Sequence, residues 1–94
     1  RPNANAAAPP ANSSRLRIAL VEDDRNEAER AIEALTAAGH EVEWYPTGVQ
    51  FMAEVREARH ELFLLDWHLP DTEGITLIGW LQRTIGRRAP VIIF

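Results

Sequence analysis

The stretch LFLLDWHLPDTEG, Leu62–Gly74, decides the fold of this 94-residue chain. Four apolar residues lead directly into Asp66, and Pro70 and Gly74 follow at intervals of four residues. A short, continuous apolar run is typical of a strand that is covered on both faces, as in a parallel sheet. The stretch therefore predicts a buried strand that ends in a carboxylate, after which the chain turns away from the sheet.

Strand and helix patterns alternate through the rest of the chain. The sequence predicts strands over 15–21, 41–45, 61–66 and 90–94, and helices over 25–39, 49–58 and 75–86. The order β-α-β-α-β-α-β predicts an α/β fold, a doubly wound parallel sheet with right-handed crossovers. The second strand, EVEWY, alternates apolar and acidic residues, which predicts a strand at the sheet edge with one wetter face. Sites in such sheets form at the C-terminal ends of the strands.

Apolar residues at helical spacing predict which side of each helix faces the sheet. The residues predicted to face inward are Ala28, Ala31, Ile32 and Leu35 in the first helix, Val49, Met52 and Val55 in the second, and Ile75, Ile78, Leu81 and Ile85 in the third. Asp24 and Glu27 fit a variant capping box at the start of the first helix, and Gly39 fits its C-terminal stop.

Most histidine and tryptophan side chains are expected to serve packing or solvation. His40 and His60 flank strands and are predicted to lie at the surface. Trp67 is predicted to pack on the adjoining loop, in preference to gating a site. Trp44 and Trp80 are expected in the core or in a subunit contact.

The composition excludes several function classes. The formal net charge is −4, every basic residue is arginine, and no basic patch is present, so this chain is not expected to bind nucleic acid. The absence of cysteine excludes disulfides and thiolate metal sites. No apolar run approaches the ~20 residues of a membrane span, which favours a cytoplasmic location. Residues 1–14, rich in Ala, Pro, Asn and Ser, are predicted to form a flexible arm or linker.

Three acidic residues are predicted to meet at one end of the sheet. Glu22 and Asp23 follow the first strand and Asp66 ends the third, so their carboxylates converge if those strands are neighbours. Converging carboxylates repel one another unless a cation joins them, and an all-oxygen cluster suits Mg²⁺ first. Beside such a cation, Asp66 would be placed to attack phosphorus. Asp24 is expected only to cap the first helix.

The motifs ALVEDDRNEAE, LLDWHLPDTEG and PVIIF resemble a response-regulator receiver domain of two-component signalling, from about Leu16 to Phe94. An acidic pair, followed about forty residues later by Asp-x-x-x-Pro-x-x-x-Gly, is the specific part of the resemblance. LLDWHLP is most similar to the receivers of winged-helix transcription factors. The resemblance implies a flavodoxin-like fold and a phosphoacceptor signalling domain rather than an enzyme. Pro70 and Gly74 would shape the loop into the third helix.

The resemblance also implies a role for each acidic residue. Asp66 would accept a phosphoryl group from a phosphohistidine of a histidine kinase or phosphotransfer protein. Asp23, Asp66 and the main-chain carbonyl of His68 would bind Mg²⁺ directly. Glu22 would act on the metal through a bound water.

The chain departs from the family pattern at its C-terminal end. The family places Ser or Thr after the fourth strand and Lys after the fifth, but this chain ends at Phe94 and holds no lysine. We expect a fragment of a longer protein, a receiver domain lacking its last strand and helices; a naturally truncated receiver is the alternative. An exposed edge at 91–94 would favour a homodimer or a strand-swapped assembly. A degenerate receiver would serve only docking or dimerisation.

Other chemistries fit the motif less well. Haloacid-dehalogenase-like phosphatases or phosphotransferases carry a second Asp two residues after the first, where this chain has His68. A nucleotide or flavin fold needs a Gly-rich loop where this chain has VEDDR. The imidazole of His68 would suit Mn²⁺ or Zn²⁺, but we expect its carbonyl to face the site and its side chain to face solvent.

Overall fold

The computed structural model describes residues 15–55, 60–84 and 90–94. Its elements are β1 (Arg17–Val21), α1 (Arg25–Ala37), β2 (Glu41–Tyr45), α2 (Gly48–Glu54), β3 (Leu62–Leu65), α3 (Gly74–Thr84) and β4 (Val91–Ile93). The predicted order of strands and helices is confirmed. β2 has its predicted bounds, and each of the other three strands is two residues shorter than predicted. The predicted arm at 1–14, the end of the second predicted helix at 56–58 and the inward-facing Ile85 lie outside the described residues.

The four described strands form one parallel sheet in the order β2-β1-β3-β4. The predicted edge position of β2 is confirmed. β1 and β3 are neighbours, and their register places Val21 opposite Leu65. Because the two strands run in the same direction and end at the same level, the residues that follow them emerge side by side.

The core lies on the face of the sheet that α2 and α3 cover. Its buried members are Ala19, Val21, Tyr45, Phe51, Phe63, Leu65, Leu69, Leu77 and Leu81. Phe51 is completely buried at its centre and meets the rings of Tyr45, Phe63 and Trp80 edge to face, at centroid distances of 5.4–6.0 Å. Such edge-to-face pairs add about 0.5–1.5 kcal/mol each to the burial of the rings.

The opposite face of the sheet is covered unevenly within the described residues. Ile18 and Leu20 of β1 are buried, and Arg25 at the start of α1 lies 5.7 Å from the Trp44 ring, so α1 covers this side of β1 and β2. Leu62 and Leu64 are only half-buried. The prediction that the third strand is covered on both faces is therefore confirmed fully only for the face of Phe63 and Leu65.

Two residues predicted to face the core are exposed instead. Val49 is 60% and Ile75 62% exposed, so those two predictions are wrong. Each follows a buried glycine at the first position of its helix, Gly48 or Gly74. Successive side chains on a helix are turned by about 100°, so the residue after an inward position points away from the sheet. The buried face of α2 contains Phe51, which is not among the residues predicted to face inward.

His60 was predicted to lie at the surface, and that prediction is wrong. It is 8% exposed, and its ring packs between Tyr45 and Phe63, at centroid distances of 6.3 and 5.8 Å. Its Nε2 lies 2.7 Å from Oε1 of Glu43. The imidazole thus buries its apolar body and reaches a carboxylate with its polar tip, which its position beside a strand did not reveal. His40 is half-buried, and its Nδ1 accepts a hydrogen bond from the Leu16 amide.

The ends of α1 confirm the predicted signals with one change of partner. The Asp24 side chain accepts a hydrogen bond from the Glu27 amide at 3.1 Å, and Gly39 has a φ of 98°, which favours glycine. The Asp24 amide, however, donates to Glu22 rather than to Glu27.

The described residues contain no helix with the length and apolar character that a membrane span requires.

Replacing Phe51 with alanine is expected to lower the free energy of unfolding by about 3–5 kcal/mol, because it empties the centre of the core. The matched control on the same helix is Val49→Ala, for which the change should stay within about 0.5 kcal/mol. Urea denaturation followed by circular dichroism measures both. Equal losses in the two variants would contradict the orientation of α2.

Candidate functional site

The three acidic residues singled out from the sequence lie together at the C-terminal edge of the sheet. Glu22 and Asp23 directly follow β1, and Asp66 directly follows β3. Carboxylate oxygens from all three lie within 4.8 Å of one another. The Asp66 amide donates to the Val21 carbonyl at 3.0 Å, so the β1–β3 ladder extends to the residue that bears the carboxylate.

The three carboxyl groups differ in their exposure to solvent. Glu22 is 5% exposed, Asp66 is half-buried and Asp23 is exposed. The pKa of Glu22 is raised to about 7, chiefly by burial; the hydrogen bond from the Asp24 amide opposes the shift, and the nearby Asp66 and Asp23 contribute to it. Near neutral pH, Glu22 is therefore partly protonated and shares a hydrogen bond with Asp66.

Trp44 holds the main chain beneath this cluster. Its indole Nε1 donates to the main-chain carbonyl of Glu22 at 2.7 Å, and the Glu22 amide donates to the Tyr45 carbonyl at 3.2 Å. Sequence reasoning assigned Trp44 to the core or a subunit contact and missed this bond. The available signal was its place near the end of β2, which a parallel sheet sets beside the end of β1.

The loop after Asp66 is folded back on itself. Oδ1 of Asp66 accepts a hydrogen bond from the His68 amide at 3.1 Å, and His68 pairs with Glu73 across the loop. The His68 side chain is exposed, as expected. The Trp67 amide also donates a hydrogen bond to the Phe94 carbonyl, which ties this loop to the end of β4.

Gly74 allows the Trp67 ring to lie on the start of α3. A Cβ at Gly74 would stand 3.0 Å from Cε3 of Trp67, closer than a side chain tolerates without a shift. Trp67 therefore packs against the first residue of α3, just beyond the loop on which it was predicted to pack, and 44% of the residue remains exposed. Pro70 lies farther along the same loop, beside a depression of about 460 Å³ that Asp23 and Glu73 also line.

Acidic groups dominate the open depression above the cluster. It has a volume of about 430 Å³, and its lining residues are Glu22, Asp23, Asp24, Glu27, Asp66 and Phe94. No ion pair among the described residues involves the three clustered acids. A set of hard oxygen donors with uncompensated charge fits a divalent cation such as Mg²⁺, and does not suit a metal that prefers sulfur.

The fold and this pocket define a doubly wound α/β domain with an acidic, cation-binding type of site at its switch point. The chain belongs to the response regulator receiver domain family, which it matches over residues 18–94. Receiver domains are signalling domains that accept phosphoryl groups from kinases, and they generally bind Mg²⁺ in an acidic pocket. They interact with histidine kinases or phosphotransfer proteins.

The relatives include both response regulators and a kinase. The sensor histidine kinase AruS of Pseudomonas aeruginosa is 35% identical over 94 residues, which cover 96% of this chain and 9% of the kinase. The DNA-binding response regulator MtrA of Mycobacterium tuberculosis is 33% identical over 82 residues, 87% of this chain and 35% of that protein. This chain therefore spans only a small part of AruS and about a third of MtrA.

Solved receiver domains share the fold. The non-phosphorylated HemR receiver domain from Leptospira biflexa superposes with a TM-score of 0.77 at 31% sequence identity. The superposition covers 82% of this chain and 61% of that one. The fold class expected from the sequence is thereby confirmed, as is the family resemblance. The predicted roles of the individual acids stay predictions.

Changing Glu22 to glutamine is expected to alter the pH dependence of stability in metal-free buffer. The pKa of Glu22 is about 7 in the folded chain, whereas its ordinary value is 4.5, so between these pH values the folded state binds more protons than the unfolded chain does. The free energy of unfolding should therefore fall as pH rises from about 4.5 to 7, by at most ~3 kcal/mol from this group. Glutamine keeps an oxygen for the Asp24 amide but cannot ionise.

Urea denaturation from pH 4.5 to 8 in the presence of EDTA measures this difference. The wild-type chain should lose stability relative to Glu22→Gln across that range, and the difference should level off above pH 7. Contributions from titrating groups that do not interact with Glu22 cancel in the comparison. Parallel pH profiles for the two proteins would contradict the raised pKa.

Proposed function

We propose that this chain is a phosphoacceptor receiver domain in which Asp66 takes the phosphoryl group. The observation that supports the proposal is the convergence of Glu22, Asp23 and Asp66 within 4.8 Å, at the ends of two paired strands. Of the three, Asp66 sits at the end of the strand and is half-buried, so it combines a fixed position with access from solvent. Glu22 is too buried to meet a large donor, and among the described residues no hydrogen bond holds the Asp23 side chain as the His68 amide holds Asp66.

The transfer needs one nucleophile and one leaving group. A carboxylate oxygen of Asp66 attacks phosphorus and forms a P–O bond while the P–N bond to the donor imidazole breaks. The electron pair of the broken bond leaves with the imidazole, which takes up a proton and departs as neutral histidine. The product is an acyl phosphate, and its hydrolysis returns the carboxylate and inorganic phosphate.

Asp23, Asp66 and the main-chain carbonyl of His68 would hold Mg²⁺, with Glu22 acting through a bound water. When bound, the metal supplies charge compensation for the phosphoryl oxygens and for the clustered carboxylates. Glu22 must give up its shared proton when a dication enters, so binding should tighten as pH rises toward neutral and above. The His68 amide meanwhile keeps one Asp66 oxygen in place.

The proposal extends to the phosphoryl donor, the location of the protein and the domain to which the receiver is attached. The phosphoryl donor would be a histidine kinase or a phosphotransfer protein, in the cytoplasm. Similarity to MtrA favours a receiver attached to a winged-helix output domain, whereas similarity to AruS favours a receiver attached to a kinase. In either arrangement residues 1–14 would be a flexible arm or linker and 15–94 the receiver domain, without its last strand and helices.

A second candidate function is docking or dimerisation without phosphoryl transfer. Ile92 and Phe94 are 50% and 53% exposed, and β4 is at the end of the described sheet. Exposed apolar edges recruit further strands, so a homodimer or strand-swapped assembly through 91–94 would follow for the 94-residue chain. Light scattering over a range of concentrations tests this, and a stable monomer would count against it.

Incubation with acetyl phosphate and Mg²⁺, followed by intact-mass spectrometry, tests phosphoryl transfer. The wild-type chain should gain one phosphoryl group, and EDTA should prevent the gain. Asp66→Asn should abolish it, because an amide is not a nucleophile of this kind. Asp24→Asn is the matched control, since asparagine still caps α1 and the wild-type gain should persist.

Asp23→Asn tests the metal site separately. Loss of a direct carboxylate ligand should weaken Mg²⁺ binding by roughly tenfold or more, as measured by calorimetric titration. Labelling of Asp66→Asn at the wild-type level would refute the acceptor assignment. Unchanged Mg²⁺ affinity in Asp23→Asn would refute the assignment of Asp23 as a ligand.

A further inference from the structure

We infer that Asp71 is a positioning residue for the proposed Mg²⁺ site, acting through a tie between the β3–α3 loop and the start of α2. The inference rests on the proposed function, because its effect is read at the metal. Asp71 does not line either depression beside the three clustered acids. Its influence on the site would therefore pass through the loop that contains His68.

Both carboxylate oxygens of Asp71 are used in this tie. Oδ1 accepts a hydrogen bond from the Gly48 amide at 3.1 Å, and Oδ2 accepts one from the Val49 amide at 2.7 Å. These are the first two amides of α2, which have no partner within the helix. The bonds span 22 and 23 residues of sequence, so they join two separate parts of the fold.

Close packing reinforces the same contact. Gly48 is buried, and a Cβ built on it would overlap the methyl group of Thr72, the residue after Asp71. The next nearest atoms, Oδ1 of Asp71 and Cβ of Thr72, would each be 3.4 Å away. The loop therefore approaches α2 as closely as a glycine allows, and the Thr72 methyl is the group that prevents a larger residue.

The tie acts at the middle of a loop whose ends are already fixed. The Asp66 amide bonds to the Val21 carbonyl, and the Gly74 amide lies 3.4 Å from the Trp67 carbonyl. Between these points, His68 is held by the Asp66 side chain and by its pairing with Glu73. Asp71 anchors the turn after His68 to the start of α2, as the bond from the Trp67 amide to the Phe94 carbonyl anchors the start of the loop to the end of β4, and so it restricts where the His68 carbonyl can lie.

A purely local role for Asp71, as a cap of α2, makes a different prediction. Thr47 caps the same helix through a hydrogen bond from the Gln50 amide at 3.0 Å, but it lies outside the loop. Removing either acceptor should destabilise the start of α2 by a similar amount. Only removal of Asp71 also releases the loop, so Thr47→Ala is the matched control.

The first experiment measures Mg²⁺ affinity by calorimetry in the full chain, with urea denaturation alongside. Asp71→Ala should weaken Mg²⁺ binding by roughly tenfold, as loss of a supporting partner does at other metal sites, while Thr47→Ala should leave it within twofold. Asp71→Asn removes the same charge but keeps one acceptor oxygen. It should therefore bind Mg²⁺ more tightly than Asp71→Ala, whereas a pure charge effect would make the two variants equal.

A second set of variants tests the packing contact without changing any charge. Gly48→Ala should weaken Mg²⁺ binding several-fold, because the new Cβ meets the Thr72 methyl and displaces the loop. Thr72→Ser removes that methyl and should have little effect alone. The double variant Gly48→Ala with Thr72→Ser should recover the affinity of Thr72→Ser.

The two sets of outcomes separate this inference from the proposed function. Wild-type protein that neither binds Mg²⁺ nor gains a phosphoryl group would refute the proposed function itself. Wild-type activity with equal Mg²⁺ affinities for Asp71→Ala and Thr47→Ala would overturn only the positioning role of Asp71. Gly48→Ala with unchanged affinity would overturn it as well, even if Asp71→Ala failed to fold.

Discussion

The parallel pairing of β1 with β3 is the constraint on which the rest of the structure depends. It places Val21 opposite Leu65 and extends by one hydrogen bond, from the Asp66 amide to the Val21 carbonyl. Glu22 and Asp23, which follow β1, must then emerge beside Asp66, which follows β3. A shift of this pairing by one residue would turn the side chains of one strand to the other face of the sheet. Its apolar side chains would leave the core, and the carboxylates that follow the two strands would no longer lie together.

Bringing the acids together is unfavourable for the isolated chain. Burial and neighbouring charge raise the pKa of Glu22 to about 7, so the cluster holds a proton that an exposed glutamate would have released. The same arrangement favours a dication, because one ion can relieve the repulsion that the fold imposes. A site that lowers the stability of the empty domain is thus suited to binding a ligand that restores it.

The groups that hold this site in place come from distant parts of the chain. Trp44 at the end of β2 bonds to the carbonyl of Glu22, and the amides of Gly48 and Val49 bind Asp71. The central aromatic cluster around Phe51 supports the sheet beneath them. The acids alone do not make the site, since its geometry also depends on the edge strand and on α2.

The sequence by itself determined the order of the elements, the edge position of β2, the stop signal at Gly39 just after α1 and the identity of the three acids. These features depend on local periodicity and on residues with strong local preferences, which act before the chain packs. Tertiary structure alone decided that Phe51 rather than Val49 faces the core, that His60 is buried against Glu43, and that Trp44 and Asp71 support the loops. Those outcomes depend on which apolar face of a helix packs on the sheet and on hydrogen bonds between residues more than fifteen positions apart. A local sequence pattern does not contain the information for either kind of contact.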